Sequence, residues 1–594
     1  MQQQSQDKPK RIPYGMQNWE DVRLNNYYYV DKTRFIPVIE ESNRFFFFIR
    51  PRRFGKSLLL NMLCTYYDLK KAGQFEKLFG DLWIGQHPTE DRNTYLVLSL
   101  DFSAFSGDLE GYKKRMDDYC NIQYEAFITK YASLLPENSL ENLRSKEGAA
   151  NQLSSLVRSC DEAGQKVYLF IDEYDHFTNS ILADAGLETS YKSETHGTGA
   201  YRAFFNTIKS ATKTAIKRLF ITGVSPVTMD DLTSGFNIGT NYTTEPEFNA
   251  MVGFTEADVR QMLDYYRQHY TFRHTTDELI EAMRPWYDNH CFSERSLNEA
   301  PMFNSDMTLY FVSNYIDNNC RFPDQMLDTN IRTDYNKLRM LIRKDRGFEH
   351  NASIIEYIVE TGGITAQLKD HFPSESITDP DNFVSLLYYF GMLTIAGRRR
   401  GMTEFLIPNQ TVREQIYGYL TSAYKENDLV ADDFYRRQLM ESMAFDGDWQ
   451  PYFNYIADTL RRFSSNRDKA KGEAYVHGFT LAQTCLTSLY LPVSELDAGA
   501  KTFIGDTTVG GYADIYLQPM LAIYPDIEHS YILELKYLPS SASDTELAQA
   551  RETAVGQITR YAESLNVERT AGHTKVHKLI LLWRGIDLAV AEEL

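Results

Sequence analysis

An apolar pentad, Phe45-Phe-Phe-Phe-Ile49, runs straight into Arg50-Pro-Arg-Arg-Phe-Gly-Lys-Ser57, after which Leu59, Met62, Leu63 and Tyr66 recur at helical spacing. Strand, loop, Gly-Lys-Ser and helix in that order converge backbone N–H groups and a helix N-terminus on one point, as a bound phosphate requires. Gly55 closes the loop, Lys56 is placed to reach the β and γ phosphates, and Ser57 to hold Mg²⁺. Arg50 stands where the pattern G-x-x-x-x-G-K-[ST] has its first glycine. It therefore demands either a different backbone or a looser grip on the nucleotide. Arg52 and Arg53 either screen phosphate charge or remain solvated loop residues.

The second half of such a site is Val167-Tyr-Leu-Phe-Ile-Asp-Glu173, an apolar strand ending in two acids. A parallel strand buried on both faces presents its functional residues at its carboxyl end, beside the phosphate loop. Asp172 is the expected Mg²⁺ partner, and Glu173 the group that orients and deprotonates water for attack on the γ-phosphate. In Leu219-Phe-Ile-Thr-Gly-Val-Ser225, Thr222 or Ser225 either senses that phosphate or simply forms the turn. Phe45–Ile49, Tyr95–Leu100, Val167–Ile171 and Leu219–Ile221 alternate with helical patterns, which implies an α/β fold with a mostly parallel sheet.

A new segment opens at Gly253, where Thr255-x-x-Asp258 can cap a helix. Helical patterning dominates to about residue 400. Phe383 to Ile395 reads as one buried helix, followed by the basic turn Gly397-Arg-Arg-Arg-Gly401 and a strand from Thr403 to Ile407, like the end of a winged-helix unit. A further α/β pattern follows, with strands expected near 502–504, 511–517, 530–537 and 577–583 and a helix from about Thr545 to Leu565. The expected division is 1–250, 251–425 and 426–594.

In the last segment Glu534 and Lys536 fall on the same side of one strand, and Asp514 on a neighbouring strand can join them. Two adjacent carboxylates repel unless a divalent cation lies between them, and oxygen donors of this kind suit Mg²⁺ or Mn²⁺. Asp-x(19)-Glu-x-Lys is the spacing of a metal-dependent nuclease, although Glu-x-Lys on an exposed strand is also a common charge pair. Gln557 and Tyr561 can line the same cleft. Glu473 is either a further metal ligand or an acid favoured at a helix N-terminus.

Composition narrows the partners. With 62 basic and 81 acidic side chains the 594-residue chain carries a formal charge of −19, which disfavours indiscriminate binding to nucleic acid. Contact with DNA or RNA is expected through local patches such as Arg398–Arg400, Arg551, Arg560, Lys575 and Lys578, or these are solvated faces. The six cysteines show no C-x-x-C spacing, and no apolar run approaches a membrane span. The chain reads as cytoplasmic, without membrane partners, and a homo-oligomer is as compatible with it as a monomer.

Together these motifs resemble a bacterial family of AAA-like ATPases fused to a PD-(D/E)XK nuclease domain. The resemblance rests on Tyr29-Val-Asp-Lys-Thr33, Arg50-Pro-Arg-Arg-Phe-Gly-Lys-Ser57, Phe170-Ile-Asp-Glu-Tyr174, Phe220-Ile-Thr-Gly-Val224, Gly253-Phe-Thr255, Trp286-Tyr-Asp288 and Ile532-Leu-Glu-Leu-Lys-Tyr537. It implies Lys56, Ser57, Asp172 and Glu173 for nucleotide and Mg²⁺, and Asp514, Glu534 and Lys536 for a nuclease site; the residue pattern adds Arg50, Arg53, Gly55 and Thr222 to the expected ATP site. The chain departs from the family at Trp286-Tyr-Asp-Asn-His-Cys-Phe292, where W-Y-D-G-Y-x-F is usual and a glycine is lost. The leading expectation is a metal-dependent nuclease controlled by an ATPase cycle. The alternatives are a regulatory switch whose last domain binds nucleic acid or a partner without cleaving, and an inert scaffold.

Overall fold

The computed structural model describes residues 8–105, 111–176, 199–227, 239–299, 301–323, 325–328, 349–373, 376–416, 433–464, 473–484, 489–494, 514–562 and 565–594. The chain forms two compact units. One comprises Met1–Arg321, Asp328–Asn351 and Thr365–Phe405, the other Phe322–Leu327, Ala352–Ile364 and Leu406–Leu594.

In the first unit the strands are β1 (Phe45–Ile49), β2 (Leu96–Asp101), β3 (Val167–Asp172), β4 (Ile216–Gly223) and the two-residue β5 (Thr240–Asn241). They pair in the order β2-β3-β4-β1-β5, all parallel. The crossovers carry α1 (Lys56–Tyr67), α2 (Tyr112–Lys130), α3 (Ala149–Glu162) and α4 (Ala200–Ala211). Phe46, Phe48, Tyr168, Phe170 and Phe220 turn to one face and pack on Leu59, Met62, Leu63, Tyr66 and Tyr67 of α1. The intervening Phe47, Leu169, Ile171, Leu219 and Ile221 are buried too. Covering both faces is why these strands read as continuous apolar runs.

Beyond the sheet, α5 (Glu256–Arg267) starts with a complete capping box between Thr255 and Asp258. Asp258 also holds the buried Lys32 Nζ at 2.7 Å, which assigns part of the Tyr29–Thr33 motif to structure. In the Trp286–Phe292 loop, Asn289 takes φ +74°, a left-handed turn made without a glycine. Asparagine tolerates that conformation better than most residues. The helix α6 (Ser305–Asp317) is capped by Asn304.

The expected Phe383–Ile395 helix is shorter. It runs as α7 (Pro380–Tyr389), with Asp379 as its cap. Gly391, at φ +77°, then turns the chain where a Cβ would come within 2.7 Å of Pro51. A hairpin of β6 (Thr394–Arg399) and β7 (Met402–Leu406) follows, its tip formed by Arg400 and Gly401, both in the left-handed region.

The second unit contains α8 (Glu473–Thr484), β8 (Tyr490–Ser494), β9 (Ile515–Pro519), β10 (His529–Leu538), α9 (Asp544–Ala562), β11 (Lys575–Arg584) and β12 (Asp587–Glu593). The sheet order is β12-β11-β10-β9-β8, with β10 and β11 parallel and the other pairs antiparallel. Helix α9 makes the crossover, and its Ala554 and Ile558 cover Tyr516, Ile532, Ile580 and Leu582. Strands β8 and β12 were not anticipated. The strand expected near 502–504, the start of the one at 511–517, and Cys485 lie outside the described residues. Among the described residues no helix is long and apolar enough to cross a membrane.

Candidate functional sites

Parallel register brings the ends of β1, β3 and β4 to one edge: Ile49 is level with Gly223, and Ile171 with Ile221. Helix α1 opens there on Gly55, whose φ of +90° admits glycine readily and other residues only with strain. Lys56 follows, 6% exposed, with Nζ donating to the Pro51 carbonyl at 3.0 Å. Burial lowers its proton affinity, opposed by the nearby carboxylates of Glu173, Asp172 and Asp175. Asp172 accepts a hydrogen bond from the Ser57 side chain; burial and the charge of Glu173 push its pKa up to about 6. Glu173 stands next along at φ +49°, its N–H donating to Asp172 Oδ1 at 2.9 Å. Lys56, Ser57, Asp172 and Glu173 thus come together at the carboxyl edge of the sheet.

Three other expected ligands do not. Arg50 is 1% exposed and lies between the Phe48 and Phe292 rings, its Cζ 4.3 Å from each centroid. Its guanidinium donates to the carbonyls of Ile49, Thr243 and Phe248. A side chain so enclosed is a brace beneath the loop. Arg53 pairs with Asp306 at 3.0 Å and approaches Asp328 at 4.0 Å. The Thr222 hydroxyl donates to the Phe48 carbonyl at 2.8 Å and joins β4 to β1.

In the second unit, Asp514 immediately precedes β9 and its Oδ2 accepts from the Leu535 N–H at 2.6 Å. Lys536 Nζ lies 3.0 Å from Glu534 Oε1 and 3.8 Å from Asp514 Oδ2. Glu534 is wholly buried. Two carboxylates and a lysine therefore converge across β9 and β10, and the donor set fits a divalent cation. Glu473 opens α8, but its side chain lies outside the described residues, as does that of Tyr561. Gln557 Oε1 is buried with no hydrogen-bond partner among the described residues.

Two neighbours escaped the sequence reading. His477, one helical turn after Glu473, places Nε2 3.0 Å from the Asp514 carbonyl. Asp175, the third acid of Asp-Glu-Tyr-Asp, is buried. Of the expected basic patch, Arg551 and Lys575 pair with Glu592 and Glu593 of β12 at 2.6 and 3.5 Å.

A family model described as a predicted AAA-ATPase matches residues 13–233, and one described as the PD-(D/E)XK nuclease superfamily matches residues 471–593. The chain is 28% identical over 265 residues to the "uncharacterized protein in vnfD 5′ region" of Azotobacter chroococcum mcd 1. That match takes in 42% of this chain and 44% of the relative, so the chain spans under half the relative's length. Among solved structures, the chain is similar to the ORC2 protein of Aeropyrum pernix in its ADPNP–ADP complexes. The identity is 9% over 67% of this chain and 93% of that one, with a TM-score of 0.33. Similarity to CDC6P from Pyrobaculum aerophilum has 12% identity over 70% of this chain and 96% of that one, with a TM-score of 0.25.

Proposed function

Because the chain joins an AAA-ATPase-like domain to a PD-(D/E)XK nuclease-superfamily domain, we propose that it hydrolyses ATP and cleaves nucleic-acid phosphodiester bonds, the ATPase cycle controlling the cleavage. The three-part division at 1–250, 251–425 and 426–594 and a cytoplasmic setting belong to the same proposal. Ser57 and Asp172 would hold Mg²⁺ at the first site, and Asp514 and Glu534, with Glu473, Mg²⁺ or Mn²⁺ at the second. The cation would neutralise phosphate charge and make bound water more acidic.

The protein's own groups do the rest. Lys56 exchanges the Pro51 carbonyl for the β and γ phosphates, and Glu173 takes the proton of the attacking water. At the second site Lys536 orients the attacking water and offsets charge that develops on the scissile phosphate. The observation that carries the nuclease reading is the wholly buried Glu534 beside Lys536, with Asp514 turned toward the same amine. Burying charge on a strand is expensive unless it is paired or used.

The test is a cleavage assay on single- and double-stranded DNA and RNA with Mg²⁺ or Mn²⁺, with and without ATP. Wild-type protein should cut, and Lys536→Ala should not, while still hydrolysing ATP. Equal cleavage by both proteins would remove the nuclease assignment, and cleavage indifferent to ATP would remove the coupling. The switch alternative draws on the engagement of Arg551 and Lys575 by β12, which reduces the positive charge offered to a polyanion. It calls for nucleic-acid or partner binding that changes with ATP, and no cleavage by the wild type.

A further inference from the structure

Asp175 has no exposed surface and lies three residues beyond Asp172. Its carboxylate accepts from Val224 N–H, at 3.2 Å to Oδ1 and 3.1 Å to Oδ2, and from Ser225 N–H, at 2.6 Å to Oδ2. These are the first two residues past β4. The adjacent Tyr174 is also wholly buried and donates its hydroxyl to the Ser225 carbonyl at 2.7 Å. Tyr201 of α4 in turn donates its hydroxyl to the Tyr174 carbonyl. Between these groups Gly223 leaves no space: a Cβ there would stand 2.3 Å from Asp175 Oδ1 and 2.6 Å from the Tyr174 ring. The turn after β3 and the turn after β4 are therefore one interlocked piece.

Glu173 rides on that piece in a left-handed conformation, φ +49°. A non-glycine residue there persists only where its surroundings impose it. A buried carboxylate bonded to main-chain N–H groups carries a desolvation penalty that those bonds offset. We propose that Asp175 is a positioning residue for ATP hydrolysis, tying the end of β4 to the turn that presents Glu173 so that both stay aligned on one phosphate. It does not touch the nucleotide. The inference rests on the ATPase reading and adds to it the part that holds the base in place.

Loss of Asp175 should then slow turnover and spare binding, because Lys56 and the phosphate loop make the binding contacts. The experiment uses the full chain, with steady-state ATP hydrolysis and titration of a fluorescent ATP analogue for wild type, Lys56→Ala, Asp175→Asn and Tyr174→Phe. In Asp175→Asn one oxygen remains as acceptor, and kcat should fall roughly 10-fold or more with Kd within about threefold, as expected when a transition-state alignment is lost. Tyr174→Phe should shift kcat the same way, by about threefold.

A wild type that neither binds nor hydrolyses ATP, indistinguishable from Lys56→Ala, removes the ATPase reading and this inference with it. An active wild type with Asp175→Asn turnover within about threefold of it overturns the role of Asp175 alone. So does a parallel loss of kcat and affinity, which marks a pocket that has come apart. If Asp175→Asn does not fold, Tyr174→Phe decides: reduced kcat at unchanged Kd supports the proposal, and unchanged kcat or a joint loss overturns it.

Discussion

Replacing Arg50 by glycine restores the residue that the common phosphate-loop pattern has at that position. Judged on that pattern, Arg50→Gly should relax the turn and tighten nucleotide binding. The structure calls for the opposite. Arg50 is not among the residues with positive φ, so glycine brings no conformational relief, and its added freedom in the unfolded chain costs about 1 kcal/mol. The carbonyls of Ile49, Thr243 and Phe248 lose a charged donor in a buried setting, at about 1–3 kcal/mol each. The stacking of the guanidinium between Phe48 and Phe292 goes as well, adding about 1 kcal/mol. Against this stands relief of burying the guanidinium, whose basicity burial lowers to about 10, a credit of about 3 kcal/mol. The net loss is about 5 kcal/mol, or about 10–20 °C in melting temperature for a domain of this size. Differential scanning calorimetry of the full chain should show the first transition shifted down by that order, with Arg50→Lys falling between the two. A variant that melts no lower than wild type and binds ATP more tightly would refute the bracing role.

Gly55→Ala tests the loop from the other side. The nearest atom a Cβ would meet is Ser305 Oγ at 3.6 Å, so space is adequate and φ +90° alone carries the strain. Equilibrium titration should show ATP affinity weakened about 10-fold, matching about 1–2 kcal/mol of backbone strain, and an unchanged Kd would contradict the geometry. His290, packed edge-on to Phe54 of the phosphate loop, is held by burial at a pKa of about 3. The unfolded chain takes up this proton below about pH 6.5 while the folded chain resists it to about 3. Stability present above pH 6.5 is therefore lost as pH falls through that window, by up to about 5 kcal/mol. Thermal melts between pH 7 and 4 should fall less steeply for His290→Leu than for wild type, and parallel slopes would sink the assignment.

Several features were legible in the chain because they depend on neighbours in sequence. The apolar runs became β1 to β4 because both faces of the sheet are covered. Thr255-x-x-Asp258 became a capping box because a helix start needs only its first turn. Glu534 and Lys536 share a side because a strand alternates. By contrast, β8 and β12 exist through pairing with β9 and β11 more than through any pattern of their own, and the two-residue β5 carries too little sequence to announce itself.

Side-chain destinations were decided in three dimensions. Arg50 turned inward because carbonyls almost 200 positions away, at Thr243 and Phe248, come to lie beneath it. Thr222 was taken by the Phe48 carbonyl once β1 settled beside β4. Asp175 drew no notice in the linear order because its partners, the amides of Val224 and Ser225, arrive only with strand pairing. The chain by itself determined which backbone segments could form and which chemical groups they would carry. Which of those groups meet a ligand and which are spent on the protein's own main chain followed from packing, because a long polar side chain goes to whichever buried partner the assembled fold leaves within reach.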